Sequence, residues 1–328
     1  MLAFDKEILV ITSAIDATAT FLCEKLVGRG IPFIRFNTES FPVQWKLNWE
    51  LHPYSTPVFV GESKMLVLRN IGSVWYRRPL KPKLSDEVTV PAARDFAQQE
   101  CEEILKAIWQ NTDALWISRP TAIRYASHKP HQLQLAAELG FSVPETLLSS
   151  DLHKIRLFWE KHQGAVVFKT IHQDPIEIDG RNFFAYTQKF RDEHWLEPER
   201  LTFAPTLFQE YLRPKVEIRV TVVGDRVFAA QLDTLNTTPD WRRLGADDQK
   251  WEPHSLPNKI TELCINLVRN YQLNFGAIDL ILTNTGEYFF LELNPNGQWA
   301  WIEMITGLPI SVALIELLTS ALSKDSSF

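Results

Sequence analysis

Cysteine is scarce: Cys23, Cys101 and Cys264 are the only three, far apart in 328 residues. No disulfide framework or zinc-binding spacing can be drawn from them, and they are expected as free thiols of a reducing cytoplasm. Long apolar runs are missing too. No stretch approaches the ~18 consecutive apolar residues of a membrane span, and the opening Met1-Leu2-Ala3-Phe4-Asp5-Lys6-Glu7 lacks the basic start and apolar run of a secretory signal. Nor is there an excess of positive charge. Against 40 Asp and Glu stand 34 Lys and Arg, a net charge of -6, so no basic field draws the chain to nucleic acid or an anionic membrane. Repeats and low-complexity tracts are also lacking. What is present is 45% hydrophobic residues, enough to build the cores of two or three lobes in a soluble, cytoplasmic protein.

Periodicity and punctuation give an α/β (α+β) chain. A strand at Ile8 to Ile11, a helix from Thr18 to Val27 and a strand from Pro32 to Phe36 make a β-α-β opening. Short strands around 46–51, 58–60, 65–68 and 74–76 precede a long helix at 92–109, and this first α/β lobe is expected to cover 1–120. A helix begins at Lys129-Pro130 and closes at Gly140. A second helix stops at Gly164, the strand Ala165 to Phe168 ends in Lys169, and a hairpin is expected about Gly180, giving a central lobe at 121–204. The third lobe, 205–328, has antiparallel strands at 207–212, 217–223 and 227–232, a helix at 260–271, a hairpin about Asn284-Thr285-Gly286, and a last helix from Pro309 to Leu322.

Counting outward from that last turn brings Asp279 opposite, or within one residue of, Glu292. Ile278, Leu280 and Leu282 then share the core face with Phe289, Leu291 and Leu293, while Asp279, Glu292 and Asn294 share the other with Ile281, Tyr288 and Phe290. Two facing anions among apolar neighbours repel each other, and a divalent cation removes that repulsion. Two carboxylates and an amide oxygen are donors that magnesium accepts. On the hairpin alone, a solvated Asp279 and an ion-paired Glu292 remain the competing reading. Upstream, Lys129, Lys169 and Arg219 could hold phosphates. Glu217 and Arg219 leave the same strand face, which also fits a simple salt bridge.

Taken in order, Lys129, Lys169, Gln209-Glu210-Tyr211-Leu212, Glu217-Ile218-Arg219, Asp279 and Glu292-Leu293-Asn294 resemble the ATP-grasp family over about 200 residues from Pro120 on. The resemblance implies an ATP-grasp fold with a Rossmann-like pre-ATP-grasp lobe, ATP lying between the central and C-terminal lobes. It implies that Lys129 and Lys169 contact phosphates and that Gln209, Glu210, Tyr211 and Leu212 line adenine. Glu217 would reach ribose or substrate, Arg219 would stabilise the transferred phosphoryl group, and Asp279, Glu292 and Asn294 would bind Mg2+. One departure is the stretch 170–189, where many members have a glycine-rich loop and this chain has only Gly180.

Within the family, Ser73-Val74-Trp75-Tyr76-Arg77-Arg78-Pro79, Ile34-Arg35-Phe36-Asn37-Thr38 and Glu217-x-Arg219 resemble the microviridin or graspetide peptide maturases. Packing of Trp75 and tying of lobes by Arg77 or Arg78 account for the first segment equally well. The resemblance implies an ADP-forming ligase that activates Asp or Glu side chains of a ribosomal precursor peptide as acyl phosphates, then closes macrolactone or macrolactam rings with Thr, Ser or Lys. A leader helix of the precursor would dock near the central hairpin, with Phe184, Asp192 and Glu193 as candidate contacts, and a homodimer is allowed. Two rivals stay open: a ligase joining free amino acids or short peptides, similar to glutathione synthetase, and an ATP-binding scaffold without turnover. His128 and His131, flanking Lys129, are expected as surface residues.

Overall fold

The opening apolar run becomes a parallel strand because both of its faces are covered. Ile8 and Val10 enter one core with Leu22, Trp299 and Leu314, and Leu9 and Ile11 enter another with Phe36, Phe59 and Trp109. The computed structural model describes residues 4–51, 55–171, 176–178, 181–183, 186–213, 215–233, 239–245 and 249–323. Its first lobe runs β1 (Glu7–Thr12), α1 (Ala17–Gly28), β2 (Phe33–Asn37), β3 (Lys46–Asn48), β4 (Val58–Val60), β5 (Met65–Val67), β6 (Ile71–Tyr76), α2 (Pro91–Asn111) and β7 (Leu115–Ile117). The parallel sheet has the order β2-β1-β6-β7, and β3-β4-β5 form a small antiparallel sheet of their own. Asp16 caps α1, accepting from the Thr18 and Ala19 backbone N–H at 3.1 and 3.2 Å.

Next come α3 (Pro120–Ala126), α4 (Lys129–Leu139), β8 (Thr146–Ser149), α5 (Leu152–Lys161), β9 (Val166–Lys169), β10 (Ile176–Ile178), β11 (Arg181–Phe183), β12 (Gln188–Lys189) and β13 (Thr206–Glu210). Strands β12-β9-β13-β8 form an antiparallel sheet over Ile155, Val166, Phe190 and Phe208, and β10 pairs with β11 in the expected hairpin. Helix α4 closes on Gly140, whose φ of 101° favours glycine.

The last part holds β14 (Lys215–Val223), β15 (Arg226–Asp233), β16 (Glu252–Pro253), α6 (Asn258–Asn270), β17 (Phe275–Thr283), β18 (Tyr288–Asn294), α7 (Ala300–Thr306) and α8 (Ile310–Thr319). Five antiparallel strands in the order β16-β15-β14-β17-β18 bury Ile218, Val220, Val222, Ile278 and Leu280. Leu133 and Ala136 of α4 pack into the same core, with Leu263 and Leu267 of α6. No helix among the described residues is long and apolar enough to cross a membrane.

The hairpin of β17 and β18 pairs Asp279 with Glu292 as counted from the turn, but its apolar faces differ from expectation. Leu280 pairs with Phe290, not Leu291, so Leu291 is an extra residue in β18. Such a bulge shifts the two-residue alternation by one. Phe290 is therefore fully buried beside Leu280, and Leu291 joins Ile281 on the side of Asp279 and Glu292, lining a cavity there.

Gly72 in β6 lies under the segment that follows α8, where a Cβ would come within 2.3 Å of the Ala321 carbonyl oxygen and 3.0 Å of Leu322 Cδ2. The next carbonyl, Leu322 O, accepts from Asp5 N and Lys6 N, both at 3.2 Å, so this segment is pinned and backbone must move. Gly72→Ala is expected to cost ~1–3 kcal/mol through overpacking. Urea denaturation of both proteins measures it, and an unchanged midpoint would contradict the packing.

Candidate active site

Alternation along β14 sends Lys215, Glu217 and Arg219 to one face and Ile218, Val220 and Val222 to the core. Arg219 stands opposite Asp279 on β17, and Asp279 opposite Glu292 on β18, so a cation and two carboxylates run in a row across three strands. Arg219 Nη1 lies 2.8 and 2.9 Å from the two Asp279 oxygens. Glu292 takes its partner from outside the sheet, Lys129 Nζ at 3.2 Å. The buried amide of Gln132, one helical turn beyond Lys129, explains why they meet. Its Nε2 donates to Leu293 O at 2.7 Å and its Oε1 accepts from Leu293 N at 2.9 Å, clamping α4 to the residue after Glu292. The row reads cation, carboxylate, carboxylate, cation.

The two acids respond differently to this arrangement. Burial pushes the Asp279 carboxyl above the usual carboxylate range, with Arg219 opposing and the Glu292 charge adding to it. Burial also works against the Glu292 charge, yet Lys129, Lys169 and Arg242 together hold its carboxyl below the usual range. Asn294 follows two residues on, its Oδ1 accepting from Asn296 N at 3.1 Å. Asp279, Glu292 and Asn294 thus offer hard oxygen donors from one strip of the hairpin, suited to a divalent cation such as magnesium that shares its shell with phosphate and water. Among the described residues no group of three His, Cys, Asp or Glu is gathered for a metal, so the amide oxygen is needed to complete the set.

These residues floor a cavity of about 500 Å³, which Lys129, Lys169, Gln209 through Leu212, Glu217, Arg219, Asp279, Glu292 and Asn294 all border. That volume falls within the ~300–1,000 Å³ of small-molecule sites. Lys169 Nζ donates to Gln209 Oε1 at 2.8 Å, and Gln209 Nε2 to Thr146 Oγ1 at 2.9 Å, so neighbouring strands fix the lysine's direction. Burial lowers its ammonium to about 8, with Glu292 opposing and Lys129 and Lys215 adding to the fall. Glu217 pairs with Lys215, and both are nearly inaccessible to water. The same-face salt bridge between Glu217 and Arg219 does not form; each has found another partner.

The first lobe reaches this site through Arg77. Its Nε lies 3.1 Å from Asp16 Oδ2, its Nη1 donates to Asn296 O at 3.1 Å and Gly297 O at 3.0 Å, and its Nη2 donates to Gln298 Oε1 at 2.6 Å. Burial brings this guanidinium down to about 10, against the pull of Asp16. Trp75 packs in the core, its ring 6.4 Å from that of Trp299. Gly297 sits where a Cβ would lie 2.3 Å from Ala277 Cβ and 2.7 Å from Arg219 Nη2, so the bare glycine lets Arg219 lie against the loop and donate to Gln298 O at 3.2 Å. Arg78, by contrast, is exposed, faces the cavity and adopts a left-handed φ of 43°, which costs on the order of 1–3 kcal/mol for a non-glycine residue.

Asp192 and Glu193 are not part of this cavity. They occupy the short turn Asp192–Trp195, and Glu193 borders a separate basic cavity with Lys189, Arg191 and Arg243. Phe184 lies outside the described residues. His131 departs from the surface role expected of it: it bridges Tyr125 Oη at 2.9 Å and Tyr271 Oη at 2.6 Å. Lys215, Asp240, Arg242 and Gln298 also border the main cavity and were missed. For Lys215, the alternation 215, 217, 219 was a usable signal. Asp240 and Arg242, joined at 2.6 Å, come from the single 3-10 turn Trp241–Arg243 and its cap, too short to show periodicity.

Known proteins share this fold. The family described as the RimK-like ATP-grasp domain matches residues 126–318, and the MvdD pre-ATP grasp domain matches residues 7–124. The chain is similar to the macrocyclase MdnC of Microcystis aeruginosa MRC, bound with precursor peptide MdnA, at 27% identity and a TM-score of 0.84 over 96% of this chain and 99% of that one. It is likewise similar to a Chryseobacterium gregarium RiPP-associated ATP-grasp ligase in complex with ADP and a leader and core peptide, at 29% identity and a TM-score of 0.89, over 96% of this chain and 97% of that one. The macrocyclase MdnB of Microcystis aeruginosa MRC matches at 29% identity and a TM-score of 0.78, over 95% of this chain and 99% of that one. No curated protein matches.

Two predictions follow from the geometry. An anion bound at Lys169 favours its charged form, and without one that form is lost as pH rises through about 8. Calorimetric titration with ATP should therefore show weaker binding above pH 8, with proton uptake visible when buffers of different ionisation enthalpy are compared; pH-independent affinity from 7 to 9 would contradict it. Gly297→Ala should displace the Arg219 guanidinium and lower turnover by roughly tenfold or more, in keeping with the sensitivity of catalysis to ~1 Å misplacement. ATP turnover in the variant at wild-type rate would count against that placement of Arg219.

Proposed function

The chain belongs to the RimK-like ATP-grasp family, and we propose that it is an ADP-forming ligase acting on a ribosomal precursor peptide, of the microviridin or graspetide type, in the cytoplasm. Asp or Glu side chains of the peptide are activated as acyl phosphates, and rings are closed with Thr or Ser as macrolactones or with Lys as macrolactams. The observation that carries the reading is the row Arg219, Asp279, Glu292, Lys129 on the floor of a cavity that Lys169 also borders. Its relatives MdnC and the Chryseobacterium gregarium ligase, described with precursor or leader and core peptides, support the substrate class.

Asp279, Glu292 and Asn294 are the residues that would hold Mg2+, which supplies Lewis-acid charge to phosphate oxygens. The donor set fits, because the two cations now paired with the acids, Arg219 and Lys129, are those expected at phosphate. When ATP enters, Lys129 and Lys169 bind its phosphates, and the Gln209 to Leu212 segment orients the base. A carboxylate oxygen of the peptide attacks the γ-phosphorus, the bond to the β-phosphate oxygen breaks, and ADP leaves. Arg219 stabilises the charge on the transferring group, while Glu217, held by Lys215, orients ribose or substrate. The peptide hydroxyl or amine then attacks the acyl carbon and loses its proton as phosphate departs. Each ring consumes one ATP and removes one water. Phe184, Asp192 and Glu193 are the candidate contacts of the leader helix.

Intact mass measurement after incubation with ATP, Mg2+ and a candidate precursor tests the reading. Loss of multiples of one water within a single peptide is expected. A gain of an amino-acid mass would assign the chain to ligases similar to glutathione synthetase, and ATP binding without any product would leave a scaffold. In Glu292→Gln, product formation should fall by at least ~100-fold, the scale for removing one preorganised electrostatic group; an undiminished rate would remove Glu292 from the metal set.

A further inference from the structure

We propose that Arg78 receives the peptide side-chain carboxylate that is to be phosphorylated, an inference that rests on the ligase reading above. Among the described residues the cavity is bordered by six cationic side chains, Arg78, Lys129, Lys169, Lys215, Arg219 and Arg242. Four have a carboxylate in contact: Lys129 has Glu292, Lys215 has Glu217, Arg219 has Asp279 and Arg242 has Asp240. Lys169 is held by the amide oxygen of Gln209. Arg78 makes no hydrogen bond or ion pair among the described residues, and Asp16, whose charge it feels, is engaged with Arg77 and the N-terminus of α1.

Position separates Arg78 from the other five. It comes from the end of β6 in the first lobe, whereas they come from α4, β9, β14 and the 239–245 segment of the other two. Its positive φ, immediately before Pro79, is a conformation that non-glycine residues rarely hold and that gathers at ligand sites. Arg77 is buried on the loop after Asn294, and Arg78 borders the cavity. Burial works against the Arg78 charge, Asp16 favours it from a distance and Arg219, itself paired with Asp279, opposes it, so a carboxylate in direct contact would stabilise the guanidinium.

The chemistry selects a carboxylate. Activation needs a second anion, the attacking carboxylate, brought against the negative γ-phosphate, and the cations on the nucleotide side cannot neutralise both. A guanidinium matches a planar carboxylate in a fork of two N–H donors, which leaves lone pairs on the oxygens for attack. Arg78 therefore selects acid side chains over their amides while leaving nucleotide binding to the other lobes.

The test is calorimetric titration of the full chain, loaded with magnesium and a non-hydrolysable ATP analogue, with a capped Gly-Glu-Gly peptide and its Gly-Gln-Gly counterpart. The wild-type protein should bind the Glu peptide roughly 10- to 100-fold more tightly. Arg78→Asn, chosen because asparagine tolerates positive φ, should abolish that preference with analogue affinity unchanged. Arg78→Lys, which keeps the charge but loses the fork, should reduce the preference several-fold, and decides the matter if Arg78→Asn does not fold. A preference that survives in the variants overturns the inference, as does a wild-type protein that binds both peptides equally. A loss of analogue affinity in Arg78→Asn overturns it too, by assigning the guanidinium to phosphate. Failure of the wild-type chain to bind the analogue is a different result and brings down the ligase reading itself.

Discussion

Two carboxylates side by side on neighbouring strands are the constraint around which the rest of the site is arranged. Asp279 and Glu292 are direct cross-strand partners, and like charges so placed destabilise a sheet unless something compensates. Compensation comes from both ends of the row, Arg219 on one side and Lys129 on the other. Each cation in turn depends on a structural feature some distance away. Lys129 is carried by a helix that Gln132 locks to the backbone of Leu293. Arg219 lies flat because Gly297 has no side chain to push it off.

The loop with Gly297 is itself fastened from the first lobe. Arg77 donates to two of its carbonyls and to Gln298, while Asp16 balances the Arg77 charge and caps α1. Removing one partner of such a buried pair leaves an uncompensated charge, at ~3–5 kcal/mol. The apolar packing follows the same route, since Ile8, Val10 and Leu22 share a core with Trp299, Leu314 and Leu318. First-lobe residues are therefore part of what sets the floor of the cavity, even though few of them border it.

Much of this was legible because it depends on short-range periodicity. The β-α-β opening, the proline start and glycine stop of α4, and the pairing of Asp279 with Glu292 all follow from local pattern and turn counting. The same counting failed at Leu291, since a bulge is one residue's irregularity and leaves the hydrophobic pattern plausible in either phase. Partnerships across long sequence distances, such as Lys129 with Glu292 or Arg77 with Asp16, carry no periodic signal at all. Residues like Asp240 and Arg242, in a single 3-10 turn and its cap, were legible by neither route. The ATP-grasp order of residues substituted for that missing information, naming Lys129 and Glu292 without revealing that they touch.

Pairing the cations with the acids also bears on how the site handles an anionic ligand. Burying a lone lysine or arginine costs several kcal/mol, so a cavity of unpaired cations would be destabilising or would discharge. Lys169, which has an amide rather than a carboxylate, shows that tendency in its lowered ionisation. Where a carboxylate is present, the cation is held in place by it, and on the proposed reading an entering phosphate would exchange one anionic partner for another. Exchange tempers affinity, because the bond to the protein acid is lost as the bond to phosphate forms. It also leaves that acid exposed, and an acid freed in this way is available as a ligand for the cation that accompanies the phosphate. On the proposed reading, binding of nucleotide and metal would be coupled through Arg219, Lys129 and their two carboxylates.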